Sequence, residues 1–257
     1  MMPAPAPASL GEMATPGSAE PVVTVEAPAK LTLTLRVTGV RPDGYHLLDA
    51  EMVTLDLADT LEFGPGDGLE VSGDDAAQTL AGSDNLVCQA LMAVGRRAEV
   101  RLEKRIPTGA GLGGGSADAA AVLRWAGVSD LDVAARLGAD VPFCLVGGRA
   151  RVTGVGEQVE PLPFEDVAGR AHTLLTPPFR VLTPLVYRTW DRLGGPTADG
   201  PNDLEPAALV LEPRLAEWRD RLGDATGQKP VLAGSGGTWF VPGAYPGDGR
   251  RVVRIAR

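Results

Sequence analysis

The chain has 257 residues, of which 24 are Lys or Arg and 33 are Asp or Glu, so its formal net charge is −9 at pH 7. Nucleic acids and anionic membranes are bound by clustered positive charge, and this balance argues against both as the main partner. Hydrophobic residues make up 44% of the chain, which is typical of a globular protein and not of a disordered one.

Glycine and proline are in excess, with 33 and 22 residues. Lysine is scarce, since only Lys30, Lys104 and Lys229 occur, and each of the three therefore merits inspection. Cys88 and Cys144 are too few for a metal cluster or a disulfide framework, and they predict two reduced, buried thiols in a cytoplasmic protein. With two histidines in the chain, a His-rich metal site is excluded.

Residues 1–20, rich in Pro, Ala and Gly, predict a flexible leader. They contain neither a basic segment nor a continuous apolar stretch, so we expect no secretory signal. Because no stretch of the chain reaches about 18 apolar residues, we also expect no transmembrane helix.

The first half of the remaining chain mixes predicted strands and helices. Between residues 22 and 37, Leu31 and Leu33 share one face of a strand, and Lys30 and Thr32 share the other. The elements predicted after it are a turn at 41–44, strands near 47–57 and 61–71, a helix over 85–97, a strand over 100–106, helices over 117–126 and 129–137, and strands over 143–146 and around Val152.

The hydrophobic pattern weakens around residues 164–169, where we place a boundary between a domain of residues 21–165 and one of residues 166–257. The second part predicts a strand over 171–175, a helix from Thr183, helices over 203–211 and 213–222, and strands over 231–233, 238–241 and 251–256. Strands and helices do not alternate strictly, which indicates an α+β fold.

Five of the seven residues from Gly109 to Gly115 are glycine, directly before an alanine-rich predicted helix. Glycine lets the main chain approach a phosphate closely, and the free N–H groups of a first helical turn point towards it. A flexible linker is the alternative, but a linker would not lie between a strand that ends at Pro107 and a helix. The loop therefore predicts an anion-binding site.

Several glycine-rich motifs compete for this loop. A P-loop ends in Gly-Lys-Ser/Thr, whereas Gly115 and Ser116 have no lysine between them. The GxGxxG pattern is satisfied, so an NAD-binding oxidoreductase stays open, although dinucleotide folds place that motif early in the chain. A protein-kinase loop is followed by a strand, not a helix, and the hydrolase motif GxSxG fails at Ala233.

The longer string from Pro107 to Ala120 resembles the phosphate loop of the GHMP kinase superfamily, whose form is Pro-x₃-Gly-Leu-(Gly/Ser)-Ser-(Ser/Ala). Further motifs follow the order of one branch of that family, whose acceptor carries cytidine diphosphate. They are Pro28-Ala-Lys-Leu-Thr-Leu, Arg41-Pro-Asp-Gly-Tyr-His46, Leu137-Gly-Ala-Asp-Val-Pro142, Asn202-Asp-Leu-Glu205 and Gly234-Ser-Gly236. The resemblance extends from about Val22 to Val241.

This resemblance implies a two-domain α+β fold, with a ribosomal-protein-S5-like nucleotide-binding domain and a ferredoxin-like C-terminal domain. It implies an ATP-dependent small-molecule kinase whose acceptor alcohol lies in the cleft between the domains. Mg²⁺ is expected on the ATP phosphates, with no side chain assigned to the metal. We expect a cytoplasmic monomer or weak homodimer without nucleic-acid or membrane partners.

The resemblance also assigns residues. Asp140 would accept the proton of the attacking hydroxyl, and Lys30 would lie beside it and stabilise charge on the moving phosphoryl group. The nucleotide would be held by Pro107, Gly109, Gly111, Leu112, Gly113, Gly114, Gly115 and Ser116, with Asn85 near the adenine. The acceptor would be held by Thr32, Tyr45, His46 and Tyr187.

Each of these residues also has a purely structural alternative role. From the residues alone, Asp140 equally predicts a turn-capping aspartate and Lys30 a solvated strand lysine. Ser116 would either cap the helix or approach the metal, and Asp118 would complement the helix dipole in the first turn.

The chain departs from the family at three points, one of which is that the helix pair between Ser116 and Asp140 is shorter than usual. Thr32 stands where the family usually has Asn, and the usual helix between the last two strands is missing. The alternatives are another GHMP kinase, of the mevalonate or homoserine type, and a catalytically inactive nucleotide-binding protein.

Overall fold

The computed structural model describes residues 22–257 except 75, 77, 78, 80 and 81. The predicted leader, residues 1–20, lies outside the described residues. Within the described ranges, none of the helices has the length and the apolar character that crossing a membrane requires.

The strands of the described residues are β1 Val23–Val40, β2 His46–Gly64, β3 Gly68–Gly73, β4 Glu99–Lys104, β5 Arg149–Gly154, β6 Gln158–Pro161, β7 Ala171–Leu175, β8 Val231–Leu232, β9 Trp239–Pro242 and β10 Arg250–Ala256. Their α-helices are α1 Leu86–Ala93, α2 Gly114–Ala126, α3 Leu131–Leu137, α4 Val141–Val146, α5 Thr183–Arg192, α6 Glu205–Leu211 and α7 Leu215–Thr226.

A long antiparallel hairpin, β1 with β2, organises the sheet, and its register runs from Val23 opposite Phe63 to Val40 opposite His46. Strand β2 also pairs antiparallel with β4, β5 and β10, while β3 joins the edge parallel to β4. The remaining strands follow in the order β10, β7, β9, β8, all antiparallel. Strand β1 contacts helix α2 of the first half of the chain, and its residue Leu35 forms a bridge with Asn202 of the second half.

Around residues 29–32, both faces of β1 are buried where the sequence pattern predicted one buried face. Leu31 is completely buried, and on the opposite face Lys30 and Thr32 are also buried. The reason is tertiary, since helix α2 packs on β1 and the turn at residues 234–237 approaches Lys30 and Thr32. Lys30 is therefore not a solvated strand lysine.

The hydrophobic core has two clusters. The larger is built mainly from residues 27–167, and the smaller mainly from residues 175–241 with Leu35 of β1. Strand β10 pairs with β7 through Arg254 and with β2 from Ile255 onward, so it joins the two halves of the sheet. The division at residues 165/166 stays a prediction.

Three predicted elements differ in the structure. Residues 143–146 form part of helix α4 and not a strand, because a short apolar run has no decisive period and Pro142 begins a helical turn well. Residues 61–71 are not one strand, since β2 continues to Gly64 and a bend precedes β3. The N-cap of α3 is Asp130, whose side chain accepts a hydrogen bond from the Asp132 N–H, and not Ser129.

Both cysteines are free, but only Cys144 is fully buried, whereas Cys88 is partly exposed. Burial raises the pKa of the Cys144 thiol to about 12. This thiol is therefore protonated and unreactive at neutral pH.

Phe63 on β2 provides a test of the core. Its ring stacks on Trp125 of α2 with a centroid distance of 4.6 Å, and it is 2% exposed. We expect Phe63→Ala to lower the free energy of unfolding by about 3–5 kcal/mol, because a buried aromatic is replaced by a cavity. Urea denaturation measures this effect.

Met92 is 66% exposed and serves as the control. Met92→Ala should change the free energy of unfolding by less than about 0.5 kcal/mol. Equal urea midpoints for the Phe63 and Met92 variants would contradict this view of the β2–α2 core.

Candidate active site

A cavity of about 710 Å³ opens between the glycine loop, strand β1, and helices α4 and α5. This volume lies in the range of small-molecule sites. The predicted site residues that line it are Lys30, Thr32, Tyr45, His46, Asn85, Pro107, Gly109, Gly111, Gly113, Gly114, Gly115, Ser116, Asp140 and Tyr187. Leu112 does not line it, because its side chain is buried in the core.

The glycine loop has an alternating backbone. Gly109, Gly111 and Gly113 have φ values of 71°, 78° and 72°, and Ala110 and Leu112 between them do not have positive φ. Successive N–H groups in such alternating conformations form concave nests that bind anions. The loop therefore has the backbone shape of an anion site before any side chain is considered.

The N–H groups of this loop are also unused. Within the described residues, none of the main-chain N–H groups of Gly111, Gly113, Gly114, Gly115 and Ser116 donates a hydrogen bond to another main-chain or side-chain group. Gly113 is the N-cap of α2 and supplies no capping side chain, so of the two alternatives for Ser116 the one in which it caps the helix is wrong. The free N–H groups and the helix dipole together favour an anion at this point.

The loop is fixed by its neighbours. The main-chain N–H of Lys30 donates to the Leu112 carbonyl at 2.9 Å, and the N–H of Thr238 donates to the Ala110 carbonyl at 3.1 Å. A Cβ atom at Gly111 would lie 2.4 Å from the Ala233 carbonyl oxygen. The sequence therefore needs glycine here for proximity as well as for backbone conformation.

Lys30 and Asp140 meet on the cavity wall. The Lys30 Nζ lies 3.3 Å from Asp140 Oδ2 and donates to Thr32 Oγ1 at 3.0 Å. Asp140 precedes α4 but its side chain makes no capping hydrogen bond, so the turn-capping alternative is not supported. Thr32, which departs from the family pattern, thus holds the lysine through its hydroxyl.

The other end of the cavity is aromatic. The His46 ring lies 4.6 Å from the Tyr187 ring and 5.5 Å from the Trp190 ring, centroid to centroid. His46 Nε2 is 2.8 Å from Asp191 Oδ1, and the His46 side chain is mostly buried, so it is not a surface histidine. Tyr45, by contrast, is 63% exposed at the rim.

Tyr187 reaches from this aromatic end towards the Lys30–Asp140 pair. Burial raises the pKa of the Tyr187 phenol well above its usual value, and the negative charge of Asp140 acts in the same direction. The phenol is therefore neutral at physiological pH, and its ring offers an apolar face to a ligand.

Asn85 caps helix α1 by accepting a hydrogen bond from the Val87 N–H at 2.8 Å. It is buried and lines the cavity. Its predicted place near the adenine stays a prediction.

Sequence reasoning missed the role of Lys104, Asp59 and Asp118, which form a buried ion cluster behind the loop. Asp118 lies beyond the first turn of α2, and it is 2% exposed. Complementing the helix dipole from solvent is therefore the wrong description of it. The scarcity of lysine was the one available signal, because it singled out Lys104.

Comparison with known proteins gives a consistent result. The family of GHMP kinases N terminal domains matches residues 85–148. A 4-diphosphocytidyl-2-C-methyl-D-erythritol kinase of Paracoccus denitrificans is 42% identical over 238 residues, which cover 83% of this chain and 84% of that protein. The protein of the same name from Ruegeria pomeroyi is 38% identical, with 90% and 91% covered. The chain belongs to this family of GHMP kinases.

Solved structures agree with that membership. A crystal structure of 4-(cytidine 5′-diphospho)-2C-methyl-D-erythritol kinase is 35% identical, has a TM-score of 0.67, and covers 87% of this chain and 91% of its own. A homoserine kinase of Cytophaga hutchinsonii, 19% identical with a TM-score of 0.53, shares the fold, with 90% and 94% covered. The predicted α+β GHMP kinase fold is confirmed, the chain is an ATP-dependent small-molecule kinase, and the NAD-binding alternative is dropped.

Gly111 tests the loop. We expect Gly111→Ala to abolish measurable ATP binding, because the new Cβ would meet the Ala233 carbonyl at 2.4 Å in a backbone conformation that alanine rarely adopts. Isothermal titration calorimetry with ATP–Mg²⁺ measures the binding.

Gly127, the C-cap of α2, is the matched control, since it has a φ of 73° and a Cβ there would meet nothing within 4 Å. Gly127→Ala should cost about 1 kcal/mol of stability and leave ATP binding intact. If both variants bind ATP equally, the close packing of the loop is not what the site needs.

Proposed function

We propose that the chain transfers the γ-phosphoryl group of ATP to the 2-hydroxyl of 4-diphosphocytidyl-2-C-methyl-D-erythritol, a step of non-mevalonate isoprenoid precursor synthesis. The observation that carries the proposal is that one cavity contains the N–H-lined glycine loop, the Lys30–Asp140 pair and the tilted His46–Tyr187 ring pair. These three parts suit the triphosphate, the reacting hydroxyl and the cytosine base, in that order.

The nucleotide end works through the main chain. The nest at Gly109–Gly113 and the free first turn of α2 would bind phosphate oxygens without any cationic side chain. A helix N-terminus stabilises an adjacent anion by roughly 0.3–2 kcal/mol, and several N–H donors add to this. An acidic chain can thereby hold a polyphosphate.

Mg²⁺ is inferred on the same phosphates. This cation prefers oxygen donors and often uses one or two carboxylates together with substrate phosphates. The Ser116 hydroxyl lines the cavity beside the loop and offers an oxygen donor to such an ion, and the phosphates would supply others. When bound, the ion would neutralise charge on the phosphates.

The reacting pair supplies the rest of the chemistry. Asp140 would accept the proton of the acceptor hydroxyl as the oxygen attacks, and Lys30 would hold that hydroxyl and stabilise negative charge on the transferred group. Thr32 keeps the lysine aimed at this point through its 3.0 Å hydrogen bond. Phosphoryl transfer needs positioning more than covalent chemistry, and the pair supplies it.

The aromatic end supports the cytidine-bearing acceptor over the alternatives within the superfamily. A base stacked against Tyr187 and His46 would gain roughly 1–3 kcal/mol per stacking contact. Mevalonate and homoserine have no ring to place there. The inactive-protein alternative gains no support either, because Thr32 still holds Lys30.

We also propose that the protein acts in the cytoplasm as a monomer or weak homodimer. The two free cysteines support a reducing compartment. The net charge of −9 supports the absence of nucleic-acid and membrane partners.

The roles of Asp140 and Lys30 are tested by substitution. Asp140→Asn and Lys30→Ala should each lower kcat by about 100- to 10,000-fold, because general base and charge stabilisation are lost. A coupled assay of ADP release with the cytidine-diphosphate acceptor measures this, and thermal melting confirms that each variant is folded.

Asp224→Asn, an exposed aspartate on α7, is the control and should retain normal turnover. Near-normal kcat in both site variants would overturn the assigned roles.

The acceptor site is tested at Tyr187. Tyr187→Ala should raise the KM for the acceptor by about 10- to 100-fold, as expected for the loss of one stacking contact, and leave the KM for ATP unchanged. Tyr187→Phe keeps the ring and should behave like the unaltered enzyme. A normal acceptor KM in Tyr187→Ala, or turnover of mevalonate or homoserine at a comparable rate, speaks against the cytidine-bearing acceptor.

A further inference from the structure

Behind the glycine loop lies a buried ion cluster that the reaction scheme does not use. Lys104 at the end of β4, Asp59 on β2 and Asp118 on α2 are 3%, 0% and 2% exposed. The Lys104 Nζ donates hydrogen bonds to Asp59 Oδ2 and, at 2.8 Å, to Asp118 Oδ2. Charged groups are rarely buried so completely unless they are paired, so we ask what this cluster does.

The cluster forms hydrogen bonds to the chain both before and after the glycine loop. Asp59 Oδ1 accepts hydrogen bonds from the main-chain N–H groups of Arg105 at 2.6 Å and Ile106 at 2.8 Å, directly before Pro107. Asp118 lies on α2, just after the loop ends. One strand residue, Asp59, is therefore connected to the start of the loop directly and to its end through Lys104.

The lysine also passes close beneath the loop. A Cβ atom at Gly114, the first residue of α2, would lie 3.2 Å from the Lys104 Nζ. Lys104 and Asp118 both line the cavity. A shift of the cluster would therefore move the helix start whose N–H groups are free.

The charges of the cluster are compatible with phosphates nearby. Burial lowers the pKa of Lys104, but attraction to Asp118 and Asp59 outweighs it and leaves the pKa above its usual value, so the lysine is charged. Burial, opposed by Lys104, raises the pKa of the Asp118 carboxyl to about 7. The raised pKa shows that burial disfavours the negative charge of Asp118, which limits repulsion of an anion in the loop.

We propose that Asp59, Lys104 and Asp118 are positioning residues for ATP, which hold the two ends of the glycine loop on β2 so that its N–H groups converge on the phosphates. This inference rests on the proposed phosphate-binding role of the loop. It assigns the cluster no contact with the acceptor.

The test is Asp59→Asn. The amide oxygen can still accept from Arg105 and Ile106, but its NH₂ group faces another donor, Lys104, so the link to the lysine is lost. We expect the Kd of ATP–Mg²⁺, measured by calorimetry without acceptor, to rise by about tenfold or more. The KM for ATP should rise equally, while the acceptor KM and the kcat at saturating ATP change by less than about threefold.

Asp203→Asn is the matched control. Asp203 is also completely buried, and it accepts hydrogen bonds from Arg36 at 2.7 Å and from the N–H groups of Val37 and Ala198 at 3.0 Å, away from the loop. The Asp203→Asn variant should have lower thermal stability and an unchanged Kd of ATP. If Asp59→Asn behaves in the same way, with lower thermal stability and an unchanged Kd of ATP, the cluster has a structural role only and the proposal is wrong.

Asp118→Asn decides the matter if Asp59→Asn does not fold. Its amide oxygen can still accept from Lys104, so we expect a smaller rise in the Kd of ATP–Mg²⁺, of about threefold or more. An unchanged Kd overturns the proposal. Because ATP binding is measured without acceptor, a failure here is distinct from a wrong acceptor assignment, which the acceptor assay alone reveals.

Discussion

The site depends on the close approach of the glycine loop to β1 and to the turn at residues 234–237. Hydrogen bonds from Lys30 and Thr238 fix the loop, and at Gly111 there is no space for a side chain. The same packing leaves the N–H groups of Gly111 and Gly113–Ser116 beside the cavity, without an acceptor among the described residues. The proposed binding of phosphate by the main chain rests on this constraint, as does the position of Lys30 directly beside the loop.

The two lysines that line the cavity are each held by acidic or polar neighbours. Lys30 is held between Asp140 and Thr32, and Lys104 between Asp59 and Asp118. In the first pair the Asp140 carboxylate is partly exposed and suits proton transfer, whereas the second cluster is almost completely buried and suits support of the loop. An acidic protein can therefore handle two phosphate-bearing ligands, because the main chain and a helix N-terminus replace the basic side chains.

The local hydrophobic pattern predicted most helices and strands, but it failed where tertiary contacts decide the structure. Strand β7 and the start of α5 lie where the sequence placed them. The strand predicted over residues 143–146 was wrong because a short apolar run suits a strand and a buried helix equally. The role of Asp118 was predicted wrongly because a sequence shows that the residue lies on a helix but not what packs against it. Its partner, Lys104, lies fourteen residues earlier in the chain.

The sequence by itself determined the class of site, since glycine spacing before a helix specifies backbone shape and an anion-binding helix end. Together with its motifs, the sequence also indicated the family and the Lys30–Asp140 pair proposed for catalysis. Only the tertiary structure decided that Lys30 is buried against Asp140, that the His46 ring contacts the Tyr187 ring, and that Asp59 connects both ends of the loop. These contacts join residues far apart in the chain, and their distances depend on packing that no local pattern encodes.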